Sequence, residues 1–166
     1  MNHWPTPQQA GPGQESVWDY PRPPRLESFE GAITIELGGR VIASATQSWR
    51  VLETSHPPTY YLPPEAFEAG ALREASGASM CEWKGQARYY DLVSGAAVAV
   101  KAAWTYPRPT PEFAAIAGAV AVMASMVDRC TVDGETVVPQ PGGFYGGWIT
   151  SRVVGPFKGV PGSMGW

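Results

Sequence analysis

Ten residues, Pro139-Gln-Pro-Gly-Gly-Phe-Tyr-Gly-Gly-Trp148, put four glycines and three aromatics into one segment. Glycine loses more backbone entropy on ordering than any other residue, so such a run marks chain that must turn sharply or pass close to another group. Phe144, Tyr145 and Trp148 offer rigid apolar faces, with a hydroxyl and an indole N–H as polar handles, which suits the wall of a small-molecule pocket. Trp148 follows two glycines that give it little packing of its own, and it is therefore read as a ligand contact. With Trp83 and Trp104 it would form an aromatic cage for a planar or cationic ligand. The competing reading makes the same three indoles the core of a small β domain.

Two other segments carry groups suited to proton transfer. Glu53-Thr-Ser-His56 offers a carboxylate, two hydroxyls and an imidazole, the ingredients of a nucleophile and its base. Strung along a strand they cannot all converge, and Pro57-Pro58 suggests that His56 sits in a surface turn. Cys81-Glu-Trp-Lys-Gly85 holds a thiol, a carboxylate, an indole and an amine. Strand alternation would send Cys81 and Trp83 to one face, Glu82 and Lys84 to the other. Cys81 reads first as a small buried hydrophobe and second as a reductase-like nucleophile. Glu82 and Lys84 read as an ion pair before an acid–base couple. Tyr60, Tyr61, Tyr89 and Tyr106 suit pocket walls or hydrogen-bond donors. Arg22 is either an anion clamp or the partner of a carboxylate such as Glu53 or Glu27, and Lys158 a ligand contact or a solvated residue of the tail.

The elements that must position these groups are short. A chain of 166 residues with 19 glycines and 17 prolines favours turns and strands over long helices. Ile33, Ile35 and Leu37 alternate, Gly38-Gly39 turns the chain and Val41-Ile42-Ala43 returns it, which predicts a hairpin. Short strands are expected at Trp49–Glu53 and Thr59–Leu62, and central ones at Met80–Trp83, Ala87–Val93 and Ala97–Trp104. Pro63–Ala69 predicts a helical turn or two, Thr110 caps a predicted helix over Pro111–Gly118, and Val120–Val127 suggests a further strand. Asp133-Gly134 supplies the positive φ angles of a type I′ turn. Trp18–Pro24 reads as a proline-stiffened strap lying on the domain. Residues 1–14 read as a disordered arm, leaving 15–166 as one domain.

Composition excludes several classes. A net charge of −3 gives no general attraction to nucleic acid. Two cysteines without C-x-x-C spacing and two histidines, His3 and His56, suggest neither a disulfide framework nor a metal site, and no cofactor is expected. The longest apolar stretch, Phe113–Val122, is too short to span a bilayer, so no membrane association is expected and the protein is read as soluble and cytoplasmic.

Several segments together carry a family resemblance: Glu15–Pro24, Val51-Leu-Glu-Thr-Ser-His-Pro-Pro-Thr-Tyr-Tyr-Leu-Pro63, Cys81–Gly85, Pro139–Thr150 and Gly155-Pro-Phe-Lys-Gly-Val-Pro-Gly162. From Glu15 to Trp166 the chain resembles the family called domain of unknown function 427. The resemblance implies a mainly β, β-tent (Mss4-like) fold, with two antiparallel sheets meeting at an angle, a pocket between them, one or two short helices and no zinc. That fold is similar to the thalidomide-binding domain of cereblon, methionine sulfoxide reductase B and zinc-binding Mss4-like proteins. The family's older label implies nucleotidyl transfer, which needs paired metal-binding carboxylates beside a glycine-serine phosphate loop. Asp19, Asp91, Asp128 and Asp133 form no D-x-D pair and no carboxylate pair follows Gly162-Ser163, so that chemistry is not expected. Relatives tend to carry Phe-Tyr where this chain has Val122-Met123, and an acid near Lys101.

The leading expectation is a small-molecule-binding domain. Its pocket is lined by Trp83, Trp104, Tyr106, Tyr145 and Trp148, joined by Tyr60 and Arg22 and oriented by Glu53 and Glu82. An enzyme on the same pocket is the alternative, with Glu53 or Glu82 as acid or base and Lys84 or Tyr145 stabilising charge. A third reading makes the Trp-rich surface an interaction face for an unidentified protein partner.

Overall fold

The alternation of Ile33, Ile35 and Leu37 puts all three in the interior, and Gly38-Gly39 turns the chain with φ of 63° and 76°. The computed structural model describes residues 4–166. Its strands are β1 (Glu15–Ser16), β2 (Arg25–Leu37), β3 (Arg40–Leu52), β4 (Thr59–Tyr61), β5 (Leu72–Cys81), β6 (Gly85–Ser94) and β7 (Ala97–Thr105). There follow β8 (Val120–Val122), β9 (Arg129–Val132), β10 (Glu135–Thr136), β11 (Val138–Pro139), β12 (Trp148–Ile149) and β13 (Val153–Val154). A five-stranded antiparallel sheet runs β10-β9-β2-β3-β4 and a four-stranded one β5-β6-β7-β8.

The sheets are joined at their edges. Leu62, just past β4, and Val120, opening β8, exchange both backbone hydrogen bonds at 2.9 and 2.8 Å. This is a mainly β architecture, as the resemblance implied, with two larger antiparallel sheets and the short pairs β1-β13 and β11-β12 beside them. The largest core cluster is packed from Ile33, Ile35, Ile42, Leu62, Leu92, Val120 and Trp148.

Several elements differ from expectation. The strand expected at Trp49–Glu53 is the end of the thirteen-residue β3. Pairing with β2 satisfies the backbone of its polar stretch, so weak apolar patterning does not break it. The helix expected after Thr110 is a 3-10 turn, Pro111–Ile116, interrupted at Phe113 (φ −112°, ψ 17°). Thr110 makes no cap; its hydroxyl donates to the Trp83 carbonyl at 2.5 Å. The strand at Val120 ends at Val122 and gives way to a turn at Ala124–Met126. Asp133 and Gly134 turn the β9–β10 hairpin with φ of 47° and 82°, as their sequence demanded.

The arm expected to lack structure is docked over its described part; residues 1–3, with His3, lie outside the described residues. The Gln8 N–H donates to the Gly155 carbonyl at 2.8 Å, its side-chain oxygen accepts from the Gly155 N–H at 3.0 Å, and Gln14 Nε2 donates to the Ser151 carbonyl at 2.9 Å. Polar side chains thus satisfy the backbone of an irregular tail, a way of ordering chain that apolar patterning does not reveal. The strap behaves as expected, with Tyr20 buried and the Trp18 indole donating to the Pro156 carbonyl at 2.9 Å. Among the described residues no helix is long and apolar enough to cross a membrane.

Candidate functional site

A cleft of about 690 Å³ is lined from both sheets. β3 and β4 contribute Val51, Thr59 and Tyr61; β5 to β7 contribute Cys81, Ala87, Tyr89, Lys101 and Trp104. Tyr106 follows, and the glycine-rich segment brings Gly143 to Gly146 to the rim. The apolar wall is held in place by a hydrogen bond from Trp104 Nε1 to the Tyr61 hydroxyl at 3.2 Å. Burial pushes the Tyr61 hydroxyl well above its ordinary pKa, and burial likewise raises that of Tyr106, so both stay protonated donors.

The glycines are required by proximity. A Cβ on Gly146 would collide with Cη2 of the Trp104 ring, and one on Gly147 would sit 2.5 Å from the Pro57 carbonyl. The later tail passes the same loop closely, because a Cβ on Gly142 would lie 2.6 Å from the Gly159 carbonyl.

At one end of the cleft, Glu53, His56 and Gln140 form a chain of polar contacts. Ser55 takes a left-handed φ of 72° and turns the backbone so that His56 faces back toward Glu53, with Nε2 at 3.6 Å from Oε2. Gln140 is buried, and its Oε1 accepts from the Gly147 N–H at 3.0 Å. Its amide nitrogen therefore donates to His56 Nδ1 at 3.0 Å and to the Lys158 carbonyl at 2.9 Å. Nδ1 is an acceptor, which puts the proton of the neutral ring on Nε2, facing Glu53. Burial pushes the His56 imidazole down to about 4; the Glu53 carboxylate opposes this, while Lys158, Arg22 and Lys84 reinforce it. His56 thus sits in the expected turn, but as a half-buried neutral group within the site rather than out on the surface.

Of the expected site residues, Glu53, Lys84, Trp104, Tyr106 and Tyr145 line this cleft. Trp148 does not. It is 1 % exposed in the core, stacked on Tyr60 at 5.2 Å, and its indole donates to the Val122 carbonyl at 3.0 Å. Its glycine neighbours left its packing to partners distant in sequence, and those partners bury it. Tyr60 shares that interior position; alternation along β4 sends its neighbour Tyr61 to the cleft instead. Glu82, Trp83 and Lys84 form the β5–β6 turn, so strand alternation does not govern them. Glu82 is exposed and Trp83 packs against the smaller core cluster around Phe113 and Ile116, both off the cleft lining. Arg22 pairs with Glu53 at 3.2 Å and reaches the site only through it. Nothing in the sequence singles out Gln140, and Lys101 stands out only as a place near which relatives carry an acid; both line the cleft.

Among the described residues no group of three or more His, Cys, Asp or Glu could hold a metal ion. Two antiparallel sheets sharing an edge beside an aromatic cleft define a mainly β protein consistent with the β-tent expectation. Residues 25–133, well over half of the chain, match the family model described as a domain of unknown function (DUF427), and the chain belongs to that family. The match includes the segments around Val51–Pro63 and Cys81–Gly85 but not the strap, the glycine-rich loop or the tail. No curated protein matches the chain.

Proposed function

We propose that this domain binds a small organic molecule in the cleft, its flat body resting on Tyr61, Trp104 and Tyr106. The observation that carries this reading is a cleft of about 690 Å³ whose aromatic wall is already fixed by the Trp104–Tyr61 hydrogen bond. Small-molecule sites have volumes of roughly 300–1,000 Å³, mostly apolar walls and a few convergent polar groups. A net charge of −3 favours such a ligand over nucleic acid, and the two free thiols, Cys81 and Cys130, suit a reducing, cytoplasmic setting.

Native mass spectrometry of freshly purified protein tests the reading. A mass excess that disappears on denaturation, and is missing from Trp104→Leu and Tyr145→Ala variants that remain folded, is the expected result. An excess retained in both variants would place the ligand elsewhere.

A second reading, catalysis in the same cleft, is favoured by the Glu53–His56–Gln140 chain. Both contacts to Glu53 are made by Oε2, from Arg22 and His56, leaving Oε1 for a substrate proton. Glu53→Gln separates the two readings once the ligand is identified. A binding module loses affinity, whereas an enzyme loses turnover at saturating substrate.

A further inference from the structure

The sequence contains three lysines, Lys84, Lys101 and Lys158, and all three line the cleft. Arginine is distributed differently: seven of the nine arginines are ion-paired, while no ion pair among the described residues includes a lysine. On a protein of net charge −3, the unpaired ammonium groups are therefore gathered at one opening.

The cleft's own carboxylate does not cancel them. Glu53 is engaged by Arg22 at 3.2 Å and faced by His56 at 3.6 Å. The Lys84 ammonium lies 5.6 Å from the centre of the Tyr106 ring, on the aromatic wall, with no acceptor of its own among the described residues. Lys158 lies 5.6 Å from the Tyr145 ring and donates to the Trp166 main-chain oxygen at 3.2 Å. An ammonium partly withdrawn from water beside an aromatic face and without counter-charge, as Lys84 is, attracts anions and repels cations. A cationic guest for the aromatic wall is thereby disfavoured.

We propose that the ligand is an organic acid: a flat apolar body bearing a carboxylate or phosphate, with Lys84 as the principal anion contact and Lys101 and Lys158 strengthening the field. The assignment rests on the small-molecule reading above and gives its chemical class. The body stacks on Trp104 and Tyr106, and the head group lies toward Lys84, replacing the water that solvates it.

Calorimetric titration with three compounds of one ring system tests this: 1-naphthalenemethanol, 1-naphthoate and 1-naphthyl phosphate. Both acids are expected to bind about tenfold or more tighter than the alcohol at about 50 mM salt, the gap narrowing at about 500 mM. The stronger of the two acids identifies the head group. Lys84→Gln should remove most of the gap. Arg88→Gln, which removes an unpaired cation from a separate pocket beside Arg108, should behave as the wild type. Equal affinity for all three compounds, abolished by Trp104→Leu, overturns the anion assignment and leaves the aromatic cleft standing. No binding of any compound, or binding indifferent to Trp104→Leu, overturns both.

Discussion

His56 should make this domain lose stability on mild acidification. Burial holds its imidazole near a pKa of about 4 in the folded protein. The unfolded chain takes up that proton near pH 6.5. Between those values the unfolded state binds more protons than the folded one, so stability falls as pH falls. The loss works out at about 2 kcal/mol at about pH 5, approaching about 3 kcal/mol below about pH 4. The carboxyls of Glu15, Asp91 and Asp133 are held low, by the Arg50 side chain, the Lys101 backbone N–H and the Arg152 side chain respectively. Their contributions fade only around and below the ordinary carboxylate range, leaving the window from about pH 7 to about pH 5 to histidine. Urea unfolding at both pH values, for wild type and His56→Gln, measures the effect. The wild type should lose about 2 kcal/mol across the interval and the variant much less, whatever its absolute stability. Equal losses in the two proteins, or an NMR titration of His56 near pH 6.5, would refute the buried-neutral assignment.

Trp148→Ala should cost about 3–5 kcal/mol, because it empties a buried indole site and strands the Val122 carbonyl; chemical denaturation reads the loss directly. Arg50→Ala should cost about 2–3 kcal/mol by the same assay, since the guanidinium is buried and bridges Glu15 at 2.9 Å and Glu27 at 2.5 Å. Gly146→Ala should keep the fold but displace the Trp104 ring, visible as a changed tryptophan emission spectrum together with weakened ligand binding. Alkylation of the native protein should modify one thiol, Cys81 in the cleft lining, and bound ligand should protect it. Cys130 is buried, its thiol pushed up to about 12 by burial, and should react only after unfolding.

Features fixed by local backbone geometry were legible in the sequence. Gly38-Gly39 and Asp133-Gly134 announced their turns because few other residues tolerate positive φ there. The glycine-rich loop announced a close approach, and the ring of Trp104 is what it approaches. Features that depend on distant partners were not. Placing His56 in the site needs a left-handed Ser55 and a glutamine 84 residues away. Of Tyr60 and Tyr61, alternation says that one faces inward, but only the pairing of β3 with β4 decides which. Three lysines spread over the chain look like ordinary solvated charge until β5 to β7 and the tail bring them to one opening.

Gln140, Tyr145 and Lys158, which shape the polar end of the cleft, all lie beyond residue 133, where the family match ends. The aromatic wall of the cleft thus lies within the matched residues, while a later stretch of chain closes its polar end.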